Sequence, residues 1–272
     1  FFLSPFCFFQ KNTYLGNLFT GILVAGLVSI VIFGGIQRIA KVASKLVPFM
    51  VGLYLSAAFI IILKNIGEIP SVLNIIFQDA FTGKSVAGGA IGTMIIIGVR
   101  RGLFSNEAGT GTETMAHGAA KTKEPVREGL VAMLGPFIDT IIVCSITAII
   151  ILVSGVYTQD INGVSMTALA FEHELGISGK IFLIVAVLTF AFSTMFGYSF
   201  YGRKCVTYLF GTKAKFLYNW IYIMMIVVAS VASLDIAINF VDSAYALMVI
   251  PTMVATIPVS YTHLRAHETR NY

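Results

Sequence analysis

Residues 98–113 read GVRRGLFSNEAGTGTE. Two arginines, two glutamates, an asparagine and four glycines are packed into this stretch, yet both flanks are apolar: 86–97 is small and aliphatic, and 115–120 resumes a mostly apolar pattern. Lipid cannot hydrogen-bond an open backbone, so irregular polar chain at membrane depth survives only where protein or water lines it. A helix interrupted at its middle, with glycines and open amide groups, is how transporters build a site at the bilayer midplane. The alternative ends the helix at Val99, with a cytoplasmic loop running to Arg127. The length of 86–120, about 35 residues at 1.5 Å rise each, and the default functional reading of intramembrane charge favour the broken helix, with helical structure lost around Phe104.

Composition sets the class. The 272 residues are 57% hydrophobic and 11% charged, with a mean hydropathy of +0.88. Soluble domains carry roughly 25% charged residues, and several apolar runs here reach the roughly 20 residues that cross a bilayer core. The chain is therefore a polytopic, all-α membrane protein. Its net charge of +5 is no nucleic-acid signal, because the basic residues sit in short connectors rather than on one face. Cys7, Cys144 and Cys205 are scattered and form no disulfide or metal framework. His263 and His267 carry almost no weight as metal ligands, because the polar tail holding them, 259–272, reads as a cloning or sequencing scar. Residues 1–14 read as an N-terminal remnant.

Between these ends, 15–257 forms the transmembrane core, with seven expected crossings: 15–34, 46–63, the broken 86–120, 129–154, 181–201, 216–234 and 239–257. Gly16, Gly21 and Gly26 suit close helix packing in the first. Apolar residues of 69–80 recur at helical spacing, as on a helix lying at the membrane surface or packed on the bundle. In the long loop 157–180, residues 164–175 look helical and are read as a lid. A short turn is expected at 235–238. The connectors after spans one, three and five hold ten Lys or Arg, against Lys11, Lys64, Lys84 and Lys180 opposite. Cytoplasmic loops carry such an excess, and the alternation works when 86–120 counts as one crossing.

Several side chains could carry chemistry. Arg100 and Arg101 need partners at depth, with Glu107 and Glu113 nearest in sequence. Phe104, Ser105 and Asn106 supply a ring, a hydroxyl and an amide beside open backbone, and Gly109 and Gly111 let the chain turn. A helix restarting over 107–114 would aim amide N–H groups and a positive dipole end at a carboxylate. Asp139, roughly ten residues into its span and beside the helix-softening Pro136 and Thr140, serves ion coupling or bonds an arginine. The need of paired arginines for carboxylates favours the second, and Asp242 shares the ambiguity. Ser193 and Thr194 read from the residues alone as hydroxyls bonding back to their own backbone. With neighbouring carbonyls they would also form an oxygen cage suited to a hard cation. No nucleophile elbow, Walker loop or HExxH is present, so no enzyme is expected.

RGLFSNEAGTG, PVREG and FIDTIIVCSITAIIIL, with GGIQRIAKVASKLVPFM upstream and FAFSTMFGYSFYGRKCVTYLFG downstream, resemble the alanine/glycine:cation symporter family, the sodium:alanine symporters. The resemblance spans about 15–257. It implies a LeuT-type fold of two inverted five-helix repeats, of which these spans would be helices four to ten and the interrupted segment helix six. It also implies that Phe104, Ser105, Asn106 and Gly109 line an amino-acid pocket and that Ser193 and Thr194 help hold sodium, while the residues themselves make Arg100, Arg101, Glu107 and Asp139 a coupling or structural charge network. The expected activity is sodium-coupled uptake of alanine or glycine by alternating access, in a monomer in the bacterial cytoplasmic membrane, with no cofactor beyond the co-transported ion. Helices one to three would precede Phe1, so the chain by itself is expected to be inactive, and VIPTMVA lacks the Asn expected after its proline. Proton coupling through Asp139 or Glu107 is the nearest alternative. A channel-like pore is the alternative of another class, disfavoured because no repeat suits a symmetric ring.

Overall fold

The computed structural model describes residues 14–81, 90–107, 109–122, 124–161 and 163–268. Residues 1–13 of the expected N-terminal remnant, residues 82–89 with the start of the third crossing at 86–89, Ala108, Lys123, Asn162 and residues 269–272 lie outside them. Every element among the described residues is helical: α1 (Tyr14–Ile32), α2 (Gly35–Lys64), α3 (Ile69–Phe81), α4 (Ala90–Asn106), α5 (Thr112–His117) and α6 (Pro125–Pro136), then a π-helical segment (Phe137–Cys144). There follow α7 (Ser145–Val153), a 3₁₀ turn (Val156–Thr158), α8 (Val164–Leu175), α9 (Ile177–Phe210), α10 (Ala214–Val231) and α11 (Leu234–Glu268). Six stretches among them are long and apolar enough to cross a membrane: Tyr14–Ile32, Gly35–Lys64, Val126–Val153, Ile177–Phe210, Ala214–Val231 and Ile236–Tyr261. In the expected third crossing, 86–120, the described residues form two shorter helices, Ala90–Asn106 and Thr112–His117, neither long enough to count as a span.

Several boundaries move. The turn placed at 235–238 lies instead between Val231 and Leu234, and the last helix passes Ile257 and two internal prolines, Pro251 and Pro258, to reach Glu268. Polar ends such as 202–210 stay helical because intrahelical hydrogen bonding does not require an apolar sequence.

The chain divides into two compact units, 1–88 with 143–237 and 89–142 with 238–272, and the division falls inside the π segment. In the first unit, α1 packs chiefly on α10, and α2 and α8 both pack on α9. One core gathers Tyr54, Ala57, Ala58 and Ile61 of α2 with Ile150, Ala170, Phe171 and Leu183. A second joins Val24, Val28 and Ile39 to Met195, Phe196 and Ile223. Small residues let these helices approach. A Cβ at Gly21 would stand 2.1 Å from Ser230 Oγ, whereas Gly26 has nothing within 4 Å, so only the first of these two serves the close packing expected of both. Helix α8 keeps its expected bounds, but Phe171 is 0% exposed and sits in the core. It is a packed element here rather than a loose lid. Tyr54 hydrogen-bonds Thr147 and its ring meets Phe171 and Phe190.

Candidate functional site

The second unit contains the break. Helix α4 runs through Arg100, Arg101, Phe104 and Ser105 and ends at Asn106, so helical structure persists just beyond the point at which loss was expected. Glu107 then takes φ 54°, Gly109 φ 80° and Gly111 φ 88°. Left-handed residues cannot continue a right-handed helix, which is why the chain turns here. It restarts at Thr112 rather than Glu107. The turn is tied internally: the Thr110 N–H and hydroxyl both donate to the Glu107 carbonyl, at 3.1 and 2.6 Å. The Thr110 and Thr112 hydroxyls lie 2.9 Å apart, and both residues are buried, at 3% and 1% exposure.

Helix α11 backs the turn. Thr252 Oγ1 donates to the Thr110 carbonyl at 3.3 Å, and the backbone at Gly109 and Gly111 passes so near that a Cβ would stand 3.2 Å from Met253 Sδ and 3.2 Å from Thr252 Oγ1 respectively. Positive φ favours glycine at both, and the close side chains of Met253 and Thr252 would have to give way to a Cβ. Tyr245 of the same helix packs its ring on Phe104, centroids 5.3 Å apart.

The charges pair partly as expected: of the two carboxylates read as arginine partners, Asp242 takes that role and Asp139 does not. Arg101 meets Asp242 at 3.4 Å, rather than Glu107 or Glu113, and Arg100 is exposed. Asp139, expected to bond an arginine, accepts a hydrogen bond from the Ser105 hydroxyl. Thr140 donates to that same hydroxyl at 3.4 Å. Asp139 and Thr140 both lie in the π segment that follows Pro136. Proline has no N–H to complete the α-helical ladder, and π-helical turns inside α-helices are frequent at functional sites. His117 at the end of α5 is tied to Glu128 of α6 at 2.7 Å.

The structure thus brings Ser105 together with Asp139, and Phe104 with Tyr245, beside the break that follows Asn106 and holds Glu107 and Gly109. Ser193 and Thr194 belong to the other compact unit. Their hydroxyls both donate to the Phe190 carbonyl at 2.8 Å, and Ser193 also reaches Met50 Sδ at 3.4 Å. Tyr245, Thr252 and Met253 were missed from the sequence. Their signal was the spacing of Asp242, Tyr245 and Thr252 on one face of a helix.

Residues 6–272 match the sodium:alanine symporter family. The chain is 37% identical to the sodium/alanine symporter AgcS of Methanococcus maripaludis over 96% of its own length and 60% of that protein's. It is 38% identical to an uncharacterized transporter of Haemophilus influenzae, over 97% of this chain and 59% of the relative. It is also 35% identical to a sodium/proton-dependent alanine carrier protein of Bacillus sp. strain PS3, over 74% and 48%. The chain therefore spans about three-fifths of the length of AgcS and the Haemophilus relative. The match covers nearly the whole chain and agrees with its apolar helices: this multi-pass membrane protein belongs to the sodium:alanine symporter family.

Proposed function

We propose that the whole protein is a secondary active symporter that couples sodium influx to uptake of a small neutral amino acid, alanine or glycine, by alternating access. The observation that carries this is the interruption at 107–111 between two helices of a membrane-spanning chain, flanked by an aromatic ring, a hydroxyl and an amide. In this reading the chain supplies helices four to ten of a LeuT-type bundle, and the interrupted pair α4 and α5 is its helix six. Phe104 forms a wall of the amino-acid pocket, with Ser105, Asn106 and the backbone at Gly109 supplying polar contacts. A short side chain fits and a longer one overlaps the wall. Ser193 and Thr194 turn from the Phe190 carbonyl to a sodium ion when it binds, and Arg100, Arg101, Glu107 and Asp139 hold the charge balance around the break. Bound sodium shifts the conformational balance only by the difference in its affinity for the two states. No enzymatic step is needed. The setting is the bacterial cytoplasmic membrane, with the protein acting as a monomer.

Proton coupling is a second reading, favoured by the similarity to the sodium/proton-dependent alanine carrier protein of Bacillus sp. strain PS3 and by a carboxylate, Asp139, bonded to a hydroxyl at the break. Uptake of labelled alanine and glycine by the full-length protein in proteoliposomes tests both. Replacing sodium by choline abolishes uptake if sodium is the driver, whereas uptake that persists on a pH gradient alone points to the proton. Asn106→Ala is expected to lower uptake by about tenfold or more, as the loss of a roughly 1.5–3 kcal/mol hydrogen bond to a charged group does. Undiminished uptake would remove Asn106 from the pocket.

A further inference from the structure

One end of the first unit collects basic residues from three elements. The start of α2 carries Arg38, Lys41 and Lys45, the last turns of α9 carry Arg203 and Lys204, and the link into α10 carries Lys213 and Lys215. Contacts place these elements side by side. Phe33, just past α1, packs its ring 6.2 Å from Phe216 and 5.4 Å from Trp220 of α10. Gly202 of α9 lies so close to α10 that a Cβ there would stand 1.9 Å from the Tyr218 hydroxyl. Ile39 of α2 is buried with Met195 and Phe196 of α9.

The charge at this end is of one sign. Neither 34–45 nor 203–215 contains an aspartate or glutamate, and among the described residues no ion pair is formed by these cations. Arg38 is committed within the fold, its guanidinium donating to the Ile30 carbonyl at 2.9 Å at the end of α1. Lys204 Nζ lies 5.5 Å from the centre of the Phe200 ring. Lys41, Lys45, Lys213 and Lys215 are exposed. Immediately beside Lys213 and Lys215 stands an aromatic ledge of Phe33, Phe216 and Trp220, also exposed. Of these rings the Trp220 indole has a polar edge, and tryptophan collects at the membrane–water interface. Juxtamembrane cations attract anionic headgroups, and a cluster of like charge repels itself until a counter-charge arrives.

We propose that this end of the first unit is a binding surface for an anionic phospholipid. Lys213 and Lys215 hold the headgroup phosphate, Lys41, Lys45 and Lys204 supply the attracting field, and the upper acyl chains lie across Phe33, Phe216 and Trp220. This surface shares no residue with the proposed transport site and stands whether or not that reading holds.

The chain contains one tryptophan, Trp220, which sits on the ledge and reports on its occupant. The purified chain is placed in phosphatidylcholine nanodiscs carrying an equal mole fraction of either brominated phosphatidylglycerol or brominated phosphatidylcholine. Quenching of Trp220 fluorescence is expected to be stronger with the brominated anionic lipid, and the preference to shrink as salt screens the cations. Lys213→Gln and Lys215→Gln are each expected to reduce that preference about fivefold, the effect of one cation near an anionic surface. Inorganic phosphate added to discs of brominated phosphatidylcholine alone leaves the emission unchanged. Equal quenching by the two lipids in the unaltered protein overturns the proposal, and so does a preference that survives in the double variant.

Discussion

Gly109 and Gly111 combine a left-handed φ with a neighbour at 3.2 Å from any added Cβ. Left-handed backbone costs an L-residue roughly 1–2 kcal/mol, before the displacement of Met253 or Thr252 is counted. Gly109→Ala and Gly111→Ala are therefore each expected to lower stability by at least about 1 kcal/mol, measured as thermal unfolding in detergent. Gly52→Ala, in the middle of α2 with open space around it, should be neutral or stabilising. Asp139 gives a second test. An alanine there removes the hydrogen bond between the Ser105 hydroxyl and the Asp139 carboxylate, and hydrogen bonds to charged groups are worth about 1.5–3 kcal/mol. Asp139→Ala should reduce uptake by about tenfold or more, with Asp139→Asn retaining more activity because an amide oxygen still accepts. Equal losses would mean that the charge, not the hydrogen bond, is what matters. The two glycines were legible in the sequence because φ is a property of one residue. The partner of Asp139 was not: an arginine was expected and a serine 34 residues away was found, because nothing in local sequence says which side chain faces a carboxylate across a bundle.

Helix bounds came closest to expectation where periodicity met a glycine. Helix α8, expected at 164–175, has those bounds, with Gly163 and Gly176 at positive φ on either side. Its role was harder to read. Phe171 and Ala170 are apolar in a loop between polar segments, and only packing against α9 shows that they belong to the core. Its C-terminal end is fastened to α2: Glu174 accepts from Asn65 Nδ2 at 2.7 Å and from Lys64 Nζ at 3.3 Å, and lies 3.2 Å from His173 Nδ1. Burial pushes the Glu174 carboxyl up, but hydrogen bonds from Asn65, His173 and Lys64 outweigh it and hold the group below its ordinary range. A depressed carboxyl contributes stability that is complete above its unfolded-state value and lost as pH falls through the lower folded-state value. Amide exchange across 164–175 should thus be steady at neutral pH and quicken, after correction for intrinsic rates, on acidification below the ordinary carboxylate range. Glu174→Gln should show faster exchange already at neutral pH and little further change with acid. An unaltered pH profile in that variant would place the acid response elsewhere.

Across the first unit as a whole, α2 and α9 run antiparallel. The start of α2 and the end of α9 lie at the basic end, while Lys64 meets Glu174, and Lys180 meets Glu172 at 2.7 Å, at the other. In a protein whose native cysteines are replaced by serine, Lys41→Cys and Lys213→Cys should react with a membrane-impermeant maleimide from one face of the membrane, and Ser178→Cys from the opposite face. Labelling of all three from one side would break the expected topology. Hydropathy and glycine placement alone determined that this chain is a multi-pass helical membrane protein and that a helix is interrupted in the stretch 98–113, because length, apolarity and backbone freedom are read residue by residue. The motifs around that break were enough to indicate the family. Which residues meet was decided only in three dimensions: Arg101 with Asp242, 141 positions on, Ser105 with Asp139, and the α11 side chains that fill the space beside Gly109 and Gly111. Helical periodicity says which face a residue occupies, but the opposing face comes from a distant segment whose depth and rotation are set by packing.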